Sequence, residues 1–94
     1  MLSKTPIDLS KVSEEDIDKQ ILRMAIIAEL DAISLYEQLA SMTKNEKLKK
    51  ILLDVADEEK THFGEFQALL LMLDEKQKEE LKKGEEEVKE LLEE

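Results

Sequence analysis

Cysteine and tryptophan are absent from this 94-residue chain, and proline and histidine occur once each, as Pro6 and His62. Without cysteine there is no disulfide framework, no thiolate-ligated zinc site and no iron–sulfur or rubredoxin-type centre. Long apolar runs are missing too. The longest run of large apolar side chains, Leu69 to Leu73, is far too short to cross a bilayer. Met1 to Ser13 holds Pro6 and Asp8 but no apolar stretch, so it does not read as a signal peptide. Basic charge is scarce: 14 Lys and Arg against 24 Asp and Glu leave a net charge of −10. That balance argues against nucleic acid or an anionic membrane as a partner. Most of it reads as a solvated acidic surface. The expectation is a soluble, cytoplasmic protein.

What is present points to helices. An Ala/Leu/Glu/Lys-rich composition, 41% hydrophobic and 40% charged with two glycines, predicts an all-α fold of long helices. Ninety-four residues make one small domain, near the size at which a single core is barely enough. Residues 1–12 show no helical period and read as a flexible N-terminal arm. Ser13, followed by Glu14, Glu15 and Asp16, predicts a capped helix start, with the first helix running from Glu14 to Met42. Thr43, Lys44 and Asn45 make a turn, and Asn45 caps a second helix from Glu46 to Leu73. Residues 13–73 thus form an antiparallel hairpin. Asp74 and Gln77 resemble a further capping box, opening a third helix over Glu75–Leu92 that Gly84 is expected to kink or end midway. This segment, residues 74–94, carries ten acids against five lysines and only sparse apolar positions, so it reads as an exposed arm or docking helix.

Hydrophobicity wraps most of the first helix near its middle. One seam is Ile21, Ala25, Ala28, Ala32, Leu35, Leu39 and Met42; another is Leu22, Ile26, Glu29, Ile33, Tyr36 and Ala40. Ile27 and Leu30 lie outside both. A two-helix hairpin cannot cover that much apolar surface, so the chain is expected to oligomerise.

Three polar residues interrupt these seams. In the second helix Leu48, Leu52, Val55, Glu59, His62, Phe66, Leu69 and Leu73 follow alternating spacings of four and three. Every member is apolar except Glu59 and His62, which share one helix face at i and i+3. Glu29 and Glu59 lie fifteen positions on either side of Lys44, so an antiparallel hairpin pivoting there sets them at one height. Charged groups inside an apolar seam are costly unless paired, protonated or bound to metal. One Glu from the first helix plus Glu-x-x-His from the second is half of a di-iron carboxylate set. Two copies about a two-fold axis would complete it, with four carboxylates balancing two ferrous ions. Such a donor set suits iron or manganese. The expected chemistry is oxidation of ferrous iron by dioxygen. Glu59 is read as the bridging carboxylate, Glu29 as a terminal or bridging ligand and His62 as the neutral nitrogen donor. Tyr36 is either a hydrogen-bond donor behind the ligands or an amphipathic core residue. Asp31 is a candidate for guiding cations inward, whereas Asp57, Glu58 and Glu65 read as the wet face of a helix. Phe63 and Phe66 read as core, and Met24, Met42 and Met72 as core or interface filler.

Ala28-Glu29-Leu30-Asp31-Ala32 with Leu35-Tyr36, followed by Asp57-Glu58-Glu59-Lys60-x-His62, resembles the encapsulated ferritins. These are half-length ferritin-like proteins housed in encapsulin nanocompartments. The similarity covers about Ile21 to Leu73. It implies a ferroxidase with a di-iron centre formed only between two subunits of a homodimer. It also implies a ring of dimers, typically a decamer, and an encapsulin shell as partner and location. Glu29, Glu59 and His62 fall on the family's iron ligands and Tyr36 on its neighbouring tyrosine. Asp31 falls on one acidic position of its outer, iron-admitting site. Ala28 falls on the other, where some family members carry Glu, and Leu35 replaces a Trp seen in some members. No encapsulin-targeting segment follows Leu92, which suits a domain of the archaeal type fused to its shell. Two other readings stay open. One is a rubrerythrin-like redox enzyme, disfavoured by the single Glu-x-x-His and the lack of cysteine. The other is a metal-free helical oligomerisation module.

Overall fold

The computed structural model describes residues 8–14 and 16–93. Among them there is no strand; three α-helices, α1 (Ile17–Met42), α2 (Glu46–Leu73) and α3 (Glu75–Leu92), follow a short 3-10 helix at Leu9–Lys11. None is long and apolar enough to cross a membrane. The arm expected over residues 1–12 lies in part outside the described residues, and Leu9–Lys11, where no helical period was expected, forms a short 3-10 helix. There the Lys11 N–H donates to the Asp8 carbonyl at 3.1 Å, and Asp8 Oδ1 accepts from the Ser10 N–H at 3.0 Å.

α1 begins three residues later than its acidic run suggested. Ser13 does not cap it. The Asp16 N–H donates to the Ser13 carbonyl at 3.1 Å, and Ser13 Oγ donates to Asp16 Oδ2 at 3.2 Å. This turn uses up the hydroxyl that would have served as the cap, leaving Asp16 at the N-cap position. The second start follows expectation. Asn45 Oδ1 accepts from the backbone N–H groups of Lys47 and Leu48 at 3.0 and 3.1 Å, satisfying two of the free donors of a helix end.

α1 and α2 pack antiparallel. The buried apolar residues are Ala40 and Ala56, each 1% exposed, with Leu22 and Leu70. Ala40 lies near the turn and Ala56 near the middle of α2, while Leu22 and Leu70 lie toward the open end. Lys60 ties the helices from outside, its Nζ lying 3.3 Å from both Glu37 Oε2 and Asp57 Oδ1. Much apolar surface stays uncovered: Ile21, Leu30, Leu39, Met42, Leu48, Ile51, Leu53, Leu69, Met72 and Leu73 are all exposed. Phe63 and Phe66 are only half-buried.

α3 leaves the open end of the hairpin. Asp74 Oδ1 caps it, accepting from the Gln77 N–H at 3.0 Å, while Asp74 Oδ2 accepts from Arg23 Nη2 of α1 at 2.9 Å. Gly84 neither kinks nor ends this helix, which runs unbroken to Leu92. Ion pairs flank it on both sides, Lys76 and Lys83 with Glu80 and Lys89 with Glu85, and such i,i+3 and i,i+4 pairs support helix on an exposed face. A 28-residue α2 spans about 42 Å, yet the molecule measures 46 × 45 × 21 Å. A flat outline of that width means that α3 projects sideways rather than lying along the hairpin.

Candidate metal centre

The antiparallel hairpin brings Glu29 of α1 to the level of Glu59 and His62 of α2. One ligand atom from each of the three lies within 4.8 Å of the others, and they form the single such cluster among the described residues. His62 Nδ1 sits 3.7 Å from Glu29 Oε2 and 3.6 Å from Glu59 Oε2. Those separations exceed a hydrogen bond, so the three groups surround a space rather than close on one another. The carboxylates are inside, with side chains 16% and 20% exposed, whereas the His62 ring is 48% exposed. It stands at the open edge of the cluster.

Electrostatics mark the cluster as incomplete. Glu29 Oε2 is buried and accepts no hydrogen bond. An ionised carboxylate in that position lacks the donors that would compensate its desolvation. The Glu29 carboxyl is accordingly pushed above the usual glutamate range, first by the facing Glu59 carboxyl, which favours a proton held between the two, then by burial and by the Glu59 charge. His62 opposes the shift and Glu65 adds to it. Two facing carboxylates and one imidazole nitrogen thus need a proton or a cation between them. The donor chemistry fits a divalent ion that prefers oxygen with some nitrogen, such as ferrous iron or manganese.

Several other candidate residues lie outside this cluster. Tyr36 is half-buried, and its hydroxyl makes no hydrogen bond among the described residues. Asp31 is half-buried on α1 and is not part of the three-residue group. Asp57 and Glu58 are exposed, Asp57 pairing with Lys60. Glu65 is exposed as well, but its charge reaches Glu29, a link that the wet-face reading missed. Its position one turn beyond His62 on α2 was the available signal. Nothing in the sequence pattern pointed to the Arg23–Asp74 pair, whose members stand 51 positions apart.

Known proteins resemble this chain over most of its length. The Rubrerythrin family pattern matches residues 20–94. The chain is 59% identical over 93 residues to a ferritin-like–encapsulin shell fusion protein of Pyrococcus furiosus, covering 97% of this chain and 27% of that one. It is 42% identical over 67 residues to an encapsulin nanocompartment cargo protein of Myxococcus xanthus, covering 71% and 51%. The chain therefore spans between a quarter and a half of the length of these curated relatives. Among solved structures, the encapsulated ferritin domain from Pyrococcus furiosus superposes with a TM-score of 0.83 at 57% identity, covering 98% of this chain and 96% of that one. By fold, carboxylate–histidine cluster and relatives together, this chain belongs to the rubrerythrin family, as a member of its encapsulated-ferritin group.

Proposed function

We propose that the chain is a ferroxidase whose di-iron site forms between two copies, feeding ferric iron to a mineral stored inside an encapsulin shell. The observation that carries this reading is the half-site itself: Glu29, Glu59 and His62 converge around a space, with Glu29 Oε2 buried and accepting no hydrogen bond. One chain offers two carboxylates and one imidazole, too few for two metal ions. A second copy related by a two-fold axis doubles the set and places four negative charges around two ferrous ions. His62 stands at the open edge, where a second chain would approach. Leu48, Ile51 and Leu69, spread along α2 on either side of His62, are exposed in the single chain, and apolar surface of this kind would be covered in the pair.

The iron is substrate. Each of two ferrous ions gives up one electron, and dioxygen takes both together with two protons from solvent, leaving as hydrogen peroxide. In this reading the Glu59 carboxylates would be shared between the two ions, and His62 of each copy would supply a neutral nitrogen. Glu29 completes the shell, and metal replaces the proton that it would otherwise hold. Asp31 guides iron inward and Tyr36 stands beside the ligands. Residues 13–73 are the catalytic hairpin, and residues 74–94 form the arm toward neighbours or shell. The relatives' names, a shell fusion and a nanocompartment cargo protein, support an encapsulin partner. The deciding experiment adds ferrous iron to the purified protein in air, follows the absorbance of ferric product and measures mass before and after. The expectation is about two ions bound per dimer and oxidation faster than in buffer. An oxidation rate equal to that of buffer alone would remove the ferroxidase reading.

A further inference from the structure

A single residue separates α2 from α3. Asp74 leaves the helical region, at φ −133° and ψ 87°, while residues 46–73 and 75–92 on either side are continuous helix. The local sequence does not demand a break. No proline or glycine lies between Gly64 and Gly84, and the leucines before Asp74 and the Glu and Lys residues after it are strong helix formers. A helix running from Glu46 to Leu92 would be about 70 Å long, against a longest molecular dimension of 46 Å.

The bend forgoes helical bonds. The N–H groups of residues 75–77 would reach the carbonyls of residues 71–73 in an unbroken helix; at a helix start they have no such partners. What replaces them converges on the Asp74 carboxylate. Oδ1 accepts from the Gln77 N–H at 3.0 Å, and Oδ2 accepts from Arg23 Nη2 at 2.9 Å. The Asp74 side chain is only 11% exposed, and the Lys19 charge on α1 also favours its ionised form. Beyond this joint little holds the direction of α3, because Leu81, Val88, Leu91 and Leu92 are all exposed.

We propose that Asp74 and Arg23 form a latch holding α3 at an angle to α2, and that its release joins the two into one continuous helix. Opening the latch swings an 18-residue acidic arm through tens of ångströms. The latch thereby decides which surface of a neighbour the arm meets. The joint lies at the open end of the hairpin, apart from the carboxylate cluster, so the latch does not depend on the ferroxidase reading.

The chain has no cysteine, which makes distance measurement direct. Spin labels at K47C and E90C, on chains diluted into unlabelled protein, report one intramolecular distance by pulsed electron resonance. A straight helix would set these positions about 65 Å apart. The latched protein should give a shorter distance. D74A should add a population near about 65 Å, with helix content by circular dichroism kept or raised. R23Q, which leaves the Asp74 cap in place, should shift a smaller fraction in the same direction. Unchanged distances in both helical variants would overturn the latch. Should D74A not fold, R23Q decides alone, and an unchanged distance there overturns it.

Discussion

Glu29 shows most plainly how function and stability oppose each other here. Its buried Oε2 accepts no hydrogen bond, and its raised pKa means that the folded chain holds a proton which the unfolded chain releases more readily. The sign follows directly. Stability contributed by this group is fully present below the ordinary glutamate pKa of about 4.3, and it is lost as pH rises through the raised folded value. Metal-free protein should therefore lose stability to urea as pH rises across that window, and saturating divalent metal should remove the loss. A pH-independent urea midpoint in the metal-free protein would contradict this. Glu29→Gln supplies a neutral amide donor toward Glu59. It should stabilise the metal-free protein by about 1 kcal/mol, a rise of about 4–8 °C in melting temperature, while abolishing metal-induced stabilisation. Glu59→Ala and His62→Ala should each abolish accelerated iron oxidation, since each removes two ligands from a symmetric site. Either variant oxidising iron at the parent rate would displace the site from this cluster.

These three residues were legible in the sequence because a hairpin converts spacing into proximity. Fifteen positions on either side of Lys44, with i,i+3 spacing inside α2, sufficed to bring Glu29, Glu59 and His62 together. The start of α1 was not legible in the same way. Ser13 and Asp16 both have cap chemistry, and the winner was decided by a turn in which Ser13 bonds Asp16 instead of the helix. The Arg23–Asp74 pair was hidden for a different reason: it depends on where two helices end relative to each other. Gly84 misled because its intrinsic cost was weighed without its neighbours. That cost is nevertheless real. Gly84 has nothing within 4 Å of where a Cβ would stand, so Gly84→Ala should stabilise α3 by about 1 kcal/mol. Amide hydrogen exchange along residues 80–90 should slow several-fold in this variant. Faster exchange would mean that the glycine serves a contact absent from the single chain.

Taken alone, the hairpin buries very little: two alanines and two leucines, with ten larger apolar side chains of α1 and α2 left exposed. Such a chain gains stability by pairing, and four clustered carboxylates oppose pairing until a cation joins them. Divalent metal should therefore drive small species toward a larger ring, and a chelator should reverse the change. Native mass spectra that stay identical in both conditions would place the carboxylates outside the interface. In the proposed pair the ligand face is used up, which leaves outer surface such as that around Leu30 and Leu53 for joining pairs to one another. An open ring of that kind encloses no volume. Several hundred ferrous ions per oligomer in air should then yield insoluble ferric product unless a shell is present. A soluble particle with a discrete iron core would show the opposite.

A half-site on every chain also has a genetic consequence. Suppose a cell makes equal amounts of the normal chain and a Glu59→Ala chain. Half of all chains are intact, but with random pairing only about a quarter of the two-fold sites receive a full ligand set. The altered chain keeps the rest of its pairing surface, so it is not excluded from partners. The allele should be dominant-negative, and co-expression at graded ratios should show activity falling with the square of the normal fraction. A linear fall would mean that each chain carries out the chemistry by itself.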